Sequence, residues 1–156
     1  MQLTRYTDYA LRVLIYLAYK DQALSTIGEI SQIYGVSENH LMKIVHGLGK
    51  LGYVATLRGK GGGLKLGRPP EQIRLGDVVR DCEETLALVE CLADGYAGDC
   101  RLVSNCKLKT VLSDAQRAFF DLLDQYTLKD LVAKRATFAK VEFHPRPRQP
   151  HARARA

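Results

Sequence analysis

The chain has 156 residues and a formal net charge of +6, and 46% of its residues are hydrophobic. This length is enough for one compact domain with an appended element. Residues 1–5 contain no apolar run of the kind that opens a signal peptide, and the longest apolar run, residues 13–19, is too short to span a bilayer. We therefore expect a cytoplasmic protein that does not contact membranes.

The charge is distributed unevenly along the chain. Residues 1–68 carry nine Lys or Arg and four Asp or Glu, residues 69–133 carry seven and twelve, and residues 134–156 carry seven and one. A basic head, an acidic middle and a basic tail favour binding of a polyanion by the head, with a different role for the middle. Ordinary solvated surface charge is the alternative explanation.

The hydrophobic pattern predicts three helices near the N-terminus. The first covers residues 4–20, where apolar residues recur on one face. A second helix follows Thr26, which forms a capping box with Glu29, and it ends at Gly35, because glycine tolerates the left-handed backbone of a tight turn. Ser37 caps a third helix that ends near residue 52. A helix, a glycine-containing turn and a second helix are typical of the helix-turn-helix motif.

Two short strands follow, residues 53–57 and 64–66, with the glycine-rich residues 58–63 between them. This pattern predicts a β-hairpin, the wing of a winged helix. Phosphate-cradling glycine loops lead from a strand into a helix, whereas this one joins two strands, so a nucleotide site is not expected. No acidic residue interrupts the basic residues in or beside the hairpin tip, which are Arg58, Lys60, Lys65 and Arg68.

The helix-turn-helix pattern also predicts which residues contact DNA. The second helix of the motif lies in the major groove and its N-terminal residues meet base edges, while a wing reaches the backbone and an adjacent groove. Asn can pair with adenine, Glu can accept from cytosine, and glycines let the backbone approach phosphates. The predicted DNA-binding residues are Ser37, Glu38, Asn39, His40 and Lys43 in the helix, and Arg58, Lys60, Gly61, Gly62 and Gly63 in the wing.

The second half of the chain predicts a short helix over residues 75–84, a loop over 87–105 and a long helix over 106–126. Apolar residues of the long helix alternate by four and three, which is typical of a coiled-coil seam. Such a protruding helix favours a homodimer, and packing against its own chain is the alternative. The seam consists of Leu108, Leu112, Ala115, Phe119, Leu122 and Tyr126.

The predicted fold class is therefore mainly α with a small β-hairpin wing. We expect a winged helix-turn-helix DNA-binding domain in residues 1–68 and a cysteine loop with a dimerisation helix in residues 69–133. The Pro-, Arg- and His-rich residues 134–156 predict a disordered basic tail.

Three cysteines lie in or beside the predicted loop. Cys91, Cys100 and Cys106 are separated by eight and then five residues. Structural zinc sites use closely spaced pairs of cysteines, so this spacing favours an iron–sulfur cluster, with zinc, a disulfide and plain buried cysteines as alternatives. A reducing cytoplasm disfavours structural disulfides. Cys82, on the short helix, is interpreted as a buried small hydrophobe.

A cluster with four ligand positions needs one more ligand. No histidine lies between residues 47 and 143, which leaves a carboxylate, solvent or a small anion. Asp8 is one candidate. An ordinary explanation competes with it, because Asp8 lies in a first helical turn and Arg12 follows four residues later.

Four segments of residues 1–133 together resemble bacterial iron–sulfur winged-helix repressors of the IscR and NsrR type. They are LTRYTDYALRVLIYLA, VSENHLMKIV, LRGKGGGLKLG and IRLGDVVR. The segments LVEC, CKLK and DQYTLKDL make the chain most similar to the NsrR-type nitric-oxide-sensing members. This resemblance implies a homodimeric transcriptional repressor, not an enzyme, that binds a palindromic operator and responds to nitric oxide.

The resemblance also implies a ligand set for the cluster. Cys91, Cys100 and Cys106 match the three cluster cysteines, and Asp8 matches an aspartate that the other subunit contributes as the fourth ligand. The implied cofactor is a 4Fe–4S cluster, with a 2Fe–2S cluster as the alternative. Lys109 stands where IscR-like members have a histidine ligand, which argues against that subtype.

Three alternatives stay open. The eight residues between the first two cysteines exceed the spacing expected for NsrR, so an iron-responsive regulator of the RirA type remains a candidate. A protein of another class, an iron–sulfur carrier or redox protein, would lack salt-dependent, sequence-specific duplex binding. A metal-free thiol-switch regulator would be colourless after anaerobic purification.

Overall fold

The computed structural model describes residues 2–98 and 100–133, and the predicted tail lies outside the described residues. These residues form helices joined by turns and one hairpin. The elements are α1 (Arg5–Lys20), α2 (Ile27–Tyr34), α3 (Glu38–Lys50), β1 (Val54–Leu57), β2 (Gly63–Leu66), α4 (Leu75–Cys82), α5 (Lys107–Leu123) and α6 (Leu128–Val132). The fold class, mainly α with a small hairpin, is the predicted one.

The first three helices begin and end at residues that satisfy their free backbone groups. The side chain of Thr26 accepts a hydrogen bond from the backbone N–H of Glu29, and the Glu29 carboxylate accepts one from the backbone of Thr26. Gly35 ends α2 with a φ of +65°, a backbone conformation that favours glycine. Ser37 then caps α3 by accepting from the backbone N–H of His40. The predicted capping box and turn are confirmed.

The hairpin is antiparallel, with Val54 opposite Leu66 and Leu57 opposite Gly63. Its tip turns at Gly59 and Gly61, whose φ angles are +100° and +83°. Ser25 adds a short bridge to the outer side of β2, through two backbone hydrogen bonds with Leu64 of 3.0 and 2.7 Å. This bridge attaches the hairpin to the chain between α1 and α2.

One apolar core joins the helix-turn-helix to the C-terminal elements. Helix α1 lies at its centre, since it contacts α3, α4, α6 and β2. Its Ala10, Val13 and Leu14 are fully buried. The other fully or almost fully buried residues of this core include Ile30, Leu41, Ile44, Leu48, Tyr53, Ile73, Val78 and Leu128. None of the helices in the described ranges is both long enough and apolar enough to cross a membrane.

The C-terminal elements differ from the prediction in one respect. Helix α5 ends at Leu123 rather than near 126, and the short helix α6, which was not predicted, begins after Thr127. The Asp130 carboxylate accepts from the Thr127 backbone N–H at 2.7 Å, and the backbone N–H of Leu128 donates to the carbonyl of Ile73 at 2.8 Å. The chain turns here because Leu128 fills the core under α1.

An ion pair fixes the end of α5 against α4. The guanidinium of Arg80 donates two hydrogen bonds, of 2.8 and 2.6 Å, to the carboxylate of Asp124 and lies 4.5 Å from the centre of the Phe120 ring. This pairing holds the pKa of Asp124 below its usual value. Gly76 faces the same carboxylate so closely that a Cβ atom would collide with it.

Candidate functional site

Helix α3 has one buried face and one solvent-facing face. Leu41, Ile44 and Leu48 are at most 1% exposed. The opposite face presents Glu38 and Asn39 in the first turn, followed by Met42, Lys43 and His46, and all of these are exposed. The predicted residues Glu38, Asn39 and Lys43 therefore lie where a ligand of the helix can reach them.

His40 is placed differently from its predicted neighbours. Its ring is half-buried and packs edge-on against Tyr9 of α1, with 5.5 Å between ring centres and an angle of 81° between ring planes. The Nε2 atom of His40 lies below the surface and has no hydrogen-bond partner among the described residues. The residue thus connects the recognition helix to α1 rather than projecting from it.

The wing presents two exposed cations on a bent backbone. Arg58 and Lys60 are exposed, and Lys60 lies between the two glycines of positive φ. Gly62 and Gly63 also have a structural reason to be glycine, because a Cβ at either position would clash with a backbone carbonyl, that of Leu57 or of Ser25 respectively.

Arg68 belongs to the same basic patch in the sequence, but its side chain contacts other residues of the protein. Its guanidinium lies 4.1 Å from the centre of the Tyr53 ring and donates to the carbonyl of Leu51 at 3.3 Å. The Tyr53 hydroxyl in turn donates to the Asp81 carboxylate at 2.6 Å. Burial and this hydrogen bond raise the pKa of Tyr53 above its ordinary value. The group joins the base of the wing to α4.

The three loop cysteines lie between α4 and α5, in what we call the cysteine segment, residues 83–106. Cys91 is half-buried in a turn, Glu90–Leu92, that contacts α5. Cys100 is exposed, and Cys106 is the half-buried N-cap of α5, where its sulfur accepts from the backbone N–H of Lys109 at 3.4 Å. All three are free thiols.

Cys82 stands apart from these three cysteines. It ends α4, is only 8% exposed and belongs to the apolar core. Burial, and then the nearby carboxylates of Asp81 and Glu83, raise the pKa of its thiol to about 11. These features support its interpretation as a small hydrophobic core residue.

The three loop cysteines and Asp8 are not gathered within one chain. Among the described residues, no three His, Cys, Asp or Glu side chains converge in a group that could hold a metal ion. Asp8 instead forms an ion pair with Arg12, with 2.9 Å between Oδ1 and Nε, and both side chains are nearly half exposed. The pair is the ordinary helical contact that competes with the predicted ligand role.

Two contacts near the cysteine segment were not predicted from the sequence. The Glu83 carboxylate accepts hydrogen bonds from the backbone N–H and hydroxyl of Thr4, at 2.8 and 3.1 Å, and so joins the start of α1 to the end of α4. No sequence signal relates positions so far apart.

Met42 of α3 is a further exposed residue that the sequence analysis did not include among the DNA-binding residues. Its exposure could have been inferred from the helical period that buries Leu41 and Ile44.

The model of the Rrf2 family, described as an iron-dependent transcriptional regulator, matches residues 3–134. The chain belongs to the Rrf2 family. Rrf2 relatives include the HTH-type transcriptional regulators NsrR of Bacillus licheniformis, 51% identical over 133 residues (85% of this chain, 92% of the relative), and NsrR of Bacillus subtilis, 48% identical over 142 residues (90% and 97%). They confirm the resemblance to NsrR-type regulators.

Solved structures of Rrf2-type proteins have the same fold. The global cysteine regulator CymR of B. subtilis superposes with a TM-score of 0.69 at 27% identity, covering 85% of this chain and 97% of that one. The T. potens IscR structure gives a TM-score of 0.68 at 25% identity and covers 87% and 90% of the two chains. The winged-helix assignment is confirmed, and this Rrf2 protein is a DNA-binding transcriptional regulator.

Alkylation should separate the four thiols. In reduced, metal-free protein at pH 8, we expect iodoacetamide to modify Cys100, Cys91 and Cys106 and to spare Cys82. A thiol with a pKa near 11 is ionised in only about one molecule in a thousand at that pH, and burial blocks the reagent as well. Peptide mass mapping over time measures the rates, and urea-unfolded protein is the control in which all four react. Equal rates for Cys82 and Cys100 in folded protein would contradict this assignment.

The wing and the recognition helix should contribute differently to DNA binding. We expect Lys60→Ala to weaken binding of specific and random duplexes about equally and to lower the salt slope by roughly one unit. Asn39→Ala should instead reduce discrimination between sequences, by about 1–3 kcal/mol if its amide pairs with adenine. The measurement is affinity against salt concentration for a duplex selected from a random library by the wild-type protein.

Lys129→Ala is the matched control, because Lys129 is an exposed lysine on α6. It removes the same charge far along the chain from the wing. Wild-type affinity and specificity in both Lys60→Ala and Asn39→Ala would show that neither α3 nor the wing contacts DNA as predicted.

Proposed function

We propose that this Rrf2 protein is a nitric-oxide-responsive transcriptional repressor that binds palindromic operator DNA as a homodimer and is controlled by an iron–sulfur cluster. The observation that carries the proposal is the position and exposure of its four cysteines. Three free thiols that solvent reaches lie in the one segment that joins α4 to α5, while the fourth is buried. A segment of this kind, attached to a DNA-binding winged helix, is suited to a sensor.

The donor chemistry of the cysteine segment fits such a cluster. Iron–sulfur clusters are held by cysteine thiolates, and Cys91, Cys100 and Cys106 supply three sulfur ligands. Cys106 has the additional advantage of a helix N-terminus, where backbone N–H groups stabilise negative charge on its sulfur. Asp8 of a second subunit is the proposed fourth ligand, as the resemblance to NsrR-type regulators implies.

When bound, a 4Fe–4S cluster in this site supplies iron that nitric oxide can attack. Asp8 would be the weakest ligand of such a group, because a carboxylate is a hard ligand beside three soft thiolates. Cys91, Cys100 and Cys106 would hold the group to the protein.

Asp8 has a direct series of contacts to the recognition helix. When its carboxylate pairs with Arg12, the Arg12 guanidinium lies 5.5 Å from the centre of the Tyr9 ring. Tyr9 packs against His40 in the first turn of α3. A change in the partner of Asp8 would therefore alter the packing that sets the position of α3. We propose that sensing changes the affinity for DNA in this way.

The homodimer is proposed to form through α5. Leu108, Val111 and Leu122 of this helix are 63%, 49% and 53% exposed. Two members of the predicted seam, Leu112 and Phe119, are half-buried and line a cavity beside residues 2–4. Leu108, Ala115 and Leu122 are exposed and supply the apolar face of α5 that a second copy would cover. Tyr126, the last residue of the predicted seam, is exposed but lies beyond the end of α5.

A second candidate signal is iron or cluster status itself. The description of the matching family, an iron-dependent transcriptional regulator, favours it. In that case the same ligands and the same contacts operate, but DNA release follows loss of iron rather than attack by nitric oxide.

The proposed cluster is tested first through its cysteines. Cys91→Ser, Cys100→Ser and Cys106→Ser should each lose bound iron and visible absorbance after anaerobic purification, because two thiolates hold a cluster less firmly than three. Cys82→Ala is the matched control and should retain both. Normal iron content and absorbance in any of the three loop variants would contradict the proposed ligand set.

Asp8→Ala tests the link between the cluster and DNA binding. The variant should keep a cluster on three thiolates, but the cluster should be more labile and should strengthen operator binding less than in wild type. Affinity for the selected duplex is measured with cluster-loaded and cluster-free protein, before and after nitric oxide or an iron chelator. The response to each reagent separates the two candidate signals.

Arg12→Ala is the matched control for the cluster stability of Asp8→Ala, because it breaks the same ion pair and leaves the carboxylate in place. It also removes the contact between Arg12 and the Tyr9 ring, so the two variants are compared by cluster stability and not by DNA affinity. If Asp8 only stabilises α1, both variants should lose the same small amount of stability, about 0.2–0.5 kcal/mol, and keep normal cluster behaviour. That result would remove Asp8 from the proposed ligand set.

A further inference from the structure

Among the residues of α3, the exposed face carries one large apolar side chain. Met42 is 48% exposed, whereas its neighbours Leu41 and Ile44 on the buried face are 1% and 0% exposed. A single exposed apolar residue is common on protein surfaces, so its exposure alone does not indicate a contact. Met42 lies one helical turn after Asn39 and directly before Lys43, on the face that is proposed to enter the major groove.

The major groove offers one apolar feature to such a side chain. Of the four bases, only thymine presents a methyl group there, and most of the other groups at base edges donate or accept hydrogen bonds. Methionine is unbranched and adapts its shape to an irregular apolar contact. A thymine methyl is therefore the group on DNA that Met42 can cover without leaving a polar atom unpaired.

The spacing along α3 also suits neighbouring base pairs. Three residues advance a helix axis by about 4.5 Å, and successive base pairs are separated by about 3.4 Å along the duplex. Residues 39 and 42 are therefore separated along α3 by little more than one base-pair step, a distance that lets Met42 reach a pair next to the one that Asn39 contacts. His40 does not compete for that position, because its ring packs against Tyr9.

We propose that Met42 is a specificity-determining residue that contacts the 5-methyl group of a thymine beside the base pair contacted by Asn39. This inference rests on the proposed role of α3 as the recognition helix. It predicts that the protein prefers thymine over uracil at one position in each half of its operator, a preference that a phosphate contact would not produce.

The test uses deoxyuridine, which differs from thymidine only in lacking the 5-methyl group. A duplex is selected from a random library by the wild-type protein, and each thymine of its common sequence is replaced in turn by uracil. We expect one replacement per half-site to weaken wild-type binding about fourfold, the factor for one buried methyl group. Met42→Ala should bind the original duplex more weakly and should be insensitive to that replacement, while Met42→Leu restores the sensitivity.

The outcomes separate this inference from the function on which it rests. A common sequence in which every uracil replacement affects wild type and Met42→Ala equally would overturn the Met42 contact and leave α3 as the recognition helix. Selection of no common sequence by folded wild-type protein would overturn the assignment of α3 and the Met42 contact together. Circular dichroism of each variant confirms that it is folded, as expected for an exposed position.

Discussion

The burial of α1 is the constraint on which the rest of the structure depends. This helix has apolar residues on more than one side, and Ala10, Val13 and Leu14 lose all contact with solvent only because α3, α4, α6 and β2 pack around them. The helix that presents residues to DNA and the helix that leads into the cysteine segment therefore share one packing partner. Protein interiors are close-packed, so they transmit small displacements rather than absorb them. The helix-turn-helix and the helix that leads into the cysteine segment are consequently connected through α1.

Local signals made the first sixty-six residues predictable, and tertiary contacts made the C-terminal elements less so. The capping box at Thr26, the left-handed Gly35 and the glycine-rich hairpin tip each act within a few residues, so the sequence shows them directly. Helix α6 is too short to give a periodic pattern. It forms because Leu128 fits into the core beside Ile73, and the sequence does not show that these positions meet. The segment Asp124–Leu131 carries part of the family resemblance, and its Leu128 also has a packing role that the sequence does not show.

In the candidate site, too, the sequence shows which residue types are present but not which of them contact other parts of the fold. Arg58, Lys60 and Arg68 looked equivalent as charges, but only the first two are free on the wing, because Arg68 stacks on Tyr53. His40 and Asn39 looked equivalent as neighbours in a recognition helix, but His40 turns toward Tyr9. Charge counts and helical position identify a surface that binds a polyanion. They do not identify which side chains already make contacts within the protein.

The energetics of two ion pairs explain why Asp8 is suited to change partners. Arg80 and Asp124 form a pair with two hydrogen bonds beside the Phe120 ring, and this pair joins α4 to the end of α5. Asp8 and Arg12 form a single contact with both side chains nearly half exposed, and exposed helical pairs of this kind stabilise a protein by only about 0.3–0.5 kcal/mol. Separating them costs the fold little, so even a weak additional ligand for the Asp8 carboxylate can compete with Arg12. A carboxylate held this loosely lies on the helix that contacts α3, α4, α6 and β2, so a change in its partner acts at the centre of the fold.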